Sequence, residues 1–169
     1  MRCMRIAFGV LAIAVMTGSA WGHGGGNKKA EKKPAQAVEE KSFGRAGDPK
    51  KVTHTITIDM NDEMEYLPNG LRLQAGDTVR FVVRNSGRTM HELVLGTMDE
   101  LKAHAELMRK HQGMEHDEPY MAHVAPGKTQ TIVWQFTRPG AFYYGCLVPG
   151  HFEAGMVGIV RVRVAAATK

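Results

Sequence analysis

The segment Cys146-Leu147-Val148-Pro149-Gly150-His151-Phe152-Glu153-Ala154-Gly155-Met156 sets a thiolate, an imidazole and a thioether on one short stretch of chain. A second imidazole, His91, lies far upstream, next to Glu92. Two His and one Cys in a trigonal plane, with a weak axial Met, are the donors of a type-1 copper site. Soft thiolate and thioether favour Cu(I), while imidazole also accepts Cu(II). A frame that suits both states needs little rearrangement when an electron moves. Pro149-Gly150 supplies a turn that brings Cys146 and His151 together, and Gly155 lets Met156 approach from the axial side. Each residue alone also fits a blander role: Cys146 an inert core thiol, Met156 a core filler, His91 a satisfied buried histidine. The same donors would accept zinc as well.

Residues 98–123 hold more potential ligands than one site needs: Met98, His104, Met108, His111, Met114, His116, Met121 and His123. On a helix His104, Met108 and His111 share a face. Glu115 and Asp117 flank His116. Imidazole and thioether suit Cu(I), and carboxylates would add Cu(II), so this stretch is a candidate second copper site. The competing reading packs Met108 inward with Leu101 and Ala105 and leaves the histidines to solvent. A third candidate is His23. Cleavage after Ala20 would leave Trp21-Gly22-His23, whose amine, amides and imidazole make a square-planar Cu(II) or Ni(II) chelate.

The elements that must position these residues are short strands. Residues 52–58, 71–73, 78–83, 92–95, 129–136, 141–144 and 157–164 alternate or run β-branched between turns such as Gly76-Asp77 and Pro139-Gly140. Seven such strands indicate an all-β sandwich. One segment breaks the rhythm. Thr97 and Glu100 have capping-box spacing, and Leu101, Ala105 and Met108 recur at helical intervals. This predicts a short α-helix over 98–111, inserted between strands, with a loop at 112–127.

Ahead of the domain, Arg2 and Arg5 precede an apolar run over 6–16 and the small residues Thr17, Gly18, Ser19 and Ala20. That is the layout of a cleaved signal peptide, residues 1–20, and implies export to the periplasm. The run is too short to span a bilayer, so no stable membrane insertion is expected. Residues 21–51 are Gly- and Lys-rich and almost without apolar side chains, which predicts a flexible linker. The remaining 52–169 form one domain. Cys3 leaves with the signal, so the exported chain keeps one thiol and no internal disulfide.

The 169 residues carry a formal charge of +5, but 52–169 hold twelve basic and thirteen acidic residues. The folded part is therefore nearly neutral, and no nucleic-acid motif or basic face is present. Two cysteines exclude a disulfide scaffold and any multi-cysteine zinc or iron–sulfur site. Nothing demands more than a monomer.

Over about 52–164 the sequence resembles the cupredoxins. The likeness runs through Ala75-Gly76-Asp77-Thr78-Val79-Arg80-Phe81, Asn85 ahead of His91-Glu92, and Ala125-Pro126-Gly127-Lys128. It continues in Pro139-Gly140, Phe142-Tyr143-Tyr144-Gly145-Cys146, Pro149-Gly150-His151 and Gly155-Met156-Val157-Gly158. On that pattern His91, Cys146, His151 and Met156 match the copper ligands. The resemblance implies a Greek-key sandwich with copper at one end. It also implies that His151 lies nearest the surface, where partners dock, within an apolar collar of Leu147, Val148 and Phe152. Neither flank of Cys146 is His, unlike the related multicopper oxidases and copper nitrite reductases, where a His there leads to a second catalytic centre. The His/Met-rich insertion looks like the periplasmic copper-tolerance cupredoxins, the CopI-like proteins. The expectation is a periplasmic copper protein that contributes to tolerance by binding copper or oxidising Cu(I), served by a redox partner or a copper donor or acceptor. The rivals are a plain electron-transfer cupredoxin, a copper chaperone or storage protein, and a weak cuprous oxidase.

Overall fold

The computed structural model describes residues 39–111 and 117–165. Among these the elements run β1 (Glu40–Lys41), β2 (Gly44–Ala46), β3 (His54–Met60), β4 (Tyr66–Leu67), β5 (Gly70–Gln74), β6 (Thr78–Asn85) and β7 (His91–Gly96). They continue with α1 (Met98–Lys110), β8 (Met121–Val124), β9 (Thr129–Gln135), β10 (Gly140–Gly145) and β11 (Val157–Arg163). Two sheets result, ordered β1-β2-β9-β6-β3-β4 and β5-β11-β10-β7-β8. The β3–β6 and β5–β11 pairs are parallel and the other neighbours antiparallel.

Period-two alternation builds the core between the sheets. β3 turns Ile58 and Met60 inward, β6 turns Val79, Phe81 and Val83, and β9 turns Ile132 and Trp134. The facing sheet supplies Leu93 and Leu95 from β7, Phe142 and Tyr144 from β10, and Val160 and Val162 from β11. Trp134, Phe136 and Tyr144 are therefore core residues.

Strand β7 departs from alternation, because all six of its residues are buried. Its inner side chains join the main core, while Val94 points outward into a second cluster with Leu101, Ala105 and Leu147. Helix α1 covers that outer face. The capping box read from the sequence is complete. The Glu100 backbone N–H donates to Thr97 Oγ1, and the Thr97 N–H donates to Glu100 Oε2 at 2.8 Å. His111 is the C-cap, one residue beyond the helix.

Two expectations need correction. The predicted linker over 21–51 does not extend to residue 51. β1 and β2 lie within it, and β2 pairs with β9 at the edge of the first sheet. Phe43 anchors the segment: it is 3% exposed, it stacks on Trp134 with ring centroids 5.1 Å apart, and its carbonyl accepts from Trp134 Nε1. One aromatic in a polar stretch carries no periodic signal, so the contact was invisible in the pattern. The predicted loop over 112–127 also contains strand β8, whose short Met-Ala-His-Val alternation pairs with β7.

Candidate metal centre

The centre is built at one end of the second sheet. Strands β10 and β11 are antiparallel neighbours with Gly145 opposite Val157. The chain between them must leave and return at almost the same place. Cys146 N–H donates to Met156 O at 3.2 Å and closes the base of this loop. Inside it His151 N–H donates to Val148 O, Met156 N–H to His151 O, and Ala154 N–H to Gly150 O. Gly150 and Gly155 take φ of +91° and +95°, the left-handed region where a side chain is disfavoured. The folded loop places Cys146 Sγ 3.3 Å from His151 Nδ1.

His91 comes from the start of β7, which pairs with β10. Its Nδ1 is 4.0 Å from Cys146 Sγ, and the two imidazole centroids are 5.0 Å apart. Asn85 fixes the turn that leads to it, donating from Nδ2 to Thr89 O at 2.8 Å and Val124 O at 2.7 Å. His91, Cys146 and Met156 are fully buried and His151 is partly exposed. The imidazole is thus the one donor of the cluster that reaches the surface.

The sulfur accepts a hydrogen bond from Glu92 N–H at 3.3 Å, and the Val148 amide also faces it. Both favour the thiolate, but burial outweighs them and pushes the thiol up to about 12. Burial and the neighbouring His91 hold His151 below its ordinary range. Two imidazoles and one shielded thiol are the donor set that a soft or borderline metal ion takes up by displacing the thiol proton. Bond lengths of about 2.3 Å to sulfur and about 2.0 Å to nitrogen, typical of zinc, put such donors roughly 3.5–3.7 Å apart. The observed 3.3 and 4.0 Å bracket that span. The residues therefore fit a metal ion.

Among the described residues, His91, Cys146 and His151 are the one group of three or more His, Cys, Asp or Glu donors that could hold a metal ion. A family model for copper-binding proteins of the plastocyanin/azurin type matches residues 52–163. The chain belongs to the plastocyanin/azurin family of copper-binding proteins. It is 50% identical over 121 residues to the copper-resistant cuproprotein CopI of Rubrivivax gelatinosus, covering 72% of this chain and 73% of that one. A protein of the same name from Vibrio cholerae is 37% identical over 108 residues, covering 63% and 62%. Among solved structures, reduced auracyanin from Roseiflexus castenholzii superposes with a TM-score of 0.57 at 20% identity, over 66% of this chain and 98% of that one. That likeness shows the shared cupredoxin sandwich. In this family member, His91, Cys146 and His151 would hold copper with Met156 buried beside them. Copper bound there would supply one-electron exchange between Cu(I) and Cu(II).

The surrounding residues sort differently from the sequence expectation. Of the predicted collar, Leu147 is buried beneath α1, while Val148 and Phe152 are partly buried. Glu92 is buried, not solvent-facing. Its carboxylate lies 3.0 Å from His123 Nδ1, and its carbonyl accepts from Tyr66 OH at 2.6 Å. Asp62 was missed. Its Oδ1 lies 3.4 Å from His91 Nε2, across 29 positions of sequence that carry no spacing signal.

The second candidate site is only partly in view. Met108 and Met121 pack against the Val94–Leu101 cluster, which is the apolar role. His104 lines a cavity of about 400 Å³ with Lys41, Phe43, Leu107 and Tyr120. His111 is exposed at the end of α1, and His123 pairs with Glu92. Met114, His116 and the N-terminal His23 lie outside the described residues.

Proposed function

We propose that this chain is an exported periplasmic type-1 copper protein that contributes to copper tolerance. The convergence of His91, Cys146 and His151 within 4.8 Å of one another is the observation that carries the reading. The relatives named copper-resistant cuproproteins support the physiological part. The protein would bind excess copper. It would also oxidise Cu(I) to Cu(II), with the single electron leaving through the His151 edge to a periplasmic redox partner. The partly exposed His151 beside a closed, buried thiol favours electron exchange over ready release of metal, as a chaperone would require.

The test is growth under copper stress. A copper-sensitive bacterial host expressing the protein with its own N-terminus is expected to tolerate more copper than the empty host. The Cys146→Ala variant is expected to give no protection. Equal protection by Cys146→Ala would refute the reading. We further propose copper binding by the His/Met-rich stretch, for which His104, Met108, His111 and His116 are the residues to replace together. An unchanged copper stoichiometry after that replacement would rule it out.

A further inference from the structure

Asp62 belongs to no motif of the sequence, yet its carboxylate reaches the metal centre from behind. Its Oδ1 is 3.4 Å from His91 Nε2, the ring nitrogen on the far side from Nδ1, which faces Cys146. The other neighbour of Nε2 is Thr89 Oγ1 at 3.3 Å, which donates its own proton to Asp62 Oδ1 at 2.9 Å. Both neighbours therefore offer lone pairs to an Nε2 proton.

The carboxylate is fixed by other groups before any metal arrives. Arg88 N–H donates to its two oxygens at 3.0 and 2.8 Å, and Thr89 N–H donates to Oδ1 at 3.2 Å. Residue 87 is Gly, and a Cβ there would overlap the Asp62 carboxylate. These donors all point at the carboxylate oxygens, the pattern of an acceptor-only carboxylate. The Arg88 guanidinium lies 3.6 Å away but is almost wholly exposed, and it neutralises little of the carboxylate's charge.

We infer that Asp62 is a positioning residue for the ligand His91. It accepts the Nε2 proton, fixes the tautomer that leaves Nδ1 as the metal donor, and makes that donor more basic. Carboxylates behind metal-bound imidazoles act in this way generally. A more electron-rich imidazole favours the more highly charged ion, so Asp62 stabilises the Cu(II) state over the Cu(I) state. The inference rests on reading His91, Cys146 and His151 as the copper centre.

The test compares Cu(II) affinity, Cu(I) affinity and reduction potential in the wild-type protein, Asp62→Asn and Asp62→Ala. Asn keeps an acceptor oxygen and removes the charge. Cu(II) affinity is expected to fall by about tenfold or more, within the 10- to 100-fold range typical of such outer partners, while Cu(I) affinity falls much less. The potential then rises by about 59 mV for each tenfold difference. A residue that merely anchors the 86–89 turn would weaken both ions alike and leave the potential unmoved, which overturns the inference. NMR of the imidazole nitrogens in wild-type apoprotein adds a measurement that needs no variant. The Nε2–H tautomer of His91, with slowed proton exchange, is expected, and the Nδ1–H tautomer overturns the inference. Copper binding by the wild type with an unchanged potential in Asp62→Asn overturns it alone. A wild type that binds no copper overturns the metal-centre reading along with it.

Discussion

Cys146 shows how burial shapes reactivity at the scale of one residue. Its thiol, pushed up to about 12, keeps its proton at neutral pH, whereas the thiolate is the metal ligand. Copper uptake must release that proton. His151, held below its ordinary range, is already neutral and releases none. The sign follows: apparent copper affinity is expected to rise with pH, by about tenfold per unit for the one thiol proton, between about pH 7 and 9. Competition titrations across that range read it directly. An affinity independent of pH would mean that the apoprotein already holds a thiolate. The pairing of Cys146 with His151 was legible because the two crowd one loop with turn-forming glycines. The burial of Glu92 was not legible, for a physical reason. The residue follows a ligand on a strand and so points to the opposite face, which is usually wet. Here β8 pairs with β7 and sets His123 directly across from Glu92 on that same face, and no local pattern announces it.

Helix α1 is the one α-helix among the described residues. It adds a third layer over the outer face of β7 and presses on Leu147 in the ligand loop. Its N-terminus was readable to the residue, because a capping box is a local device. Thr97→Ala is expected to destabilise the protein by about 1 kcal/mol in denaturant unfolding. Leu101→Ala, which empties a site only 1% exposed, is expected to cost about 2–5 kcal/mol. The N-terminal segment was not readable, because its order comes from tertiary contact. Phe43 lies on Trp134, and Ser42 donates to Glu100 Oε1 at 2.9 Å, tying the segment to α1. Phe43→Ala is expected to cost about 3–5 kcal/mol by the same measurement. A cost under about 0.5 kcal/mol, usual for surface substitutions, would return residues 39–46 to the linker.

At the scale of the whole molecule, the β-sandwich was legible because alternation and turn residues recur along 52–164. Topology was less so. The parallel β3–β6 and β5–β11 pairs join strands that no hairpin turn connects. His91, at the start of β7, and Cys146, just beyond β10, meet across a strand pair that joins residues 55 positions apart. The donors meet once that pairing has formed, so copper is expected to bind the native state in preference to the unfolded chain. Copper at about a thousandfold over its dissociation constant is expected to add about 4 kcal/mol to stability, and chelation to remove it. Thermal unfolding with and without copper measures that difference.

The most direct measurement is the visible absorption of the purified protein during titration with Cu(II). An intense thiolate-to-Cu(II) band is expected, saturating at one equivalent and absent from Cys146→Ala. No band in the wild type, or a band that survives Cys146→Ala, would contradict a copper centre at His91, Cys146 and His151.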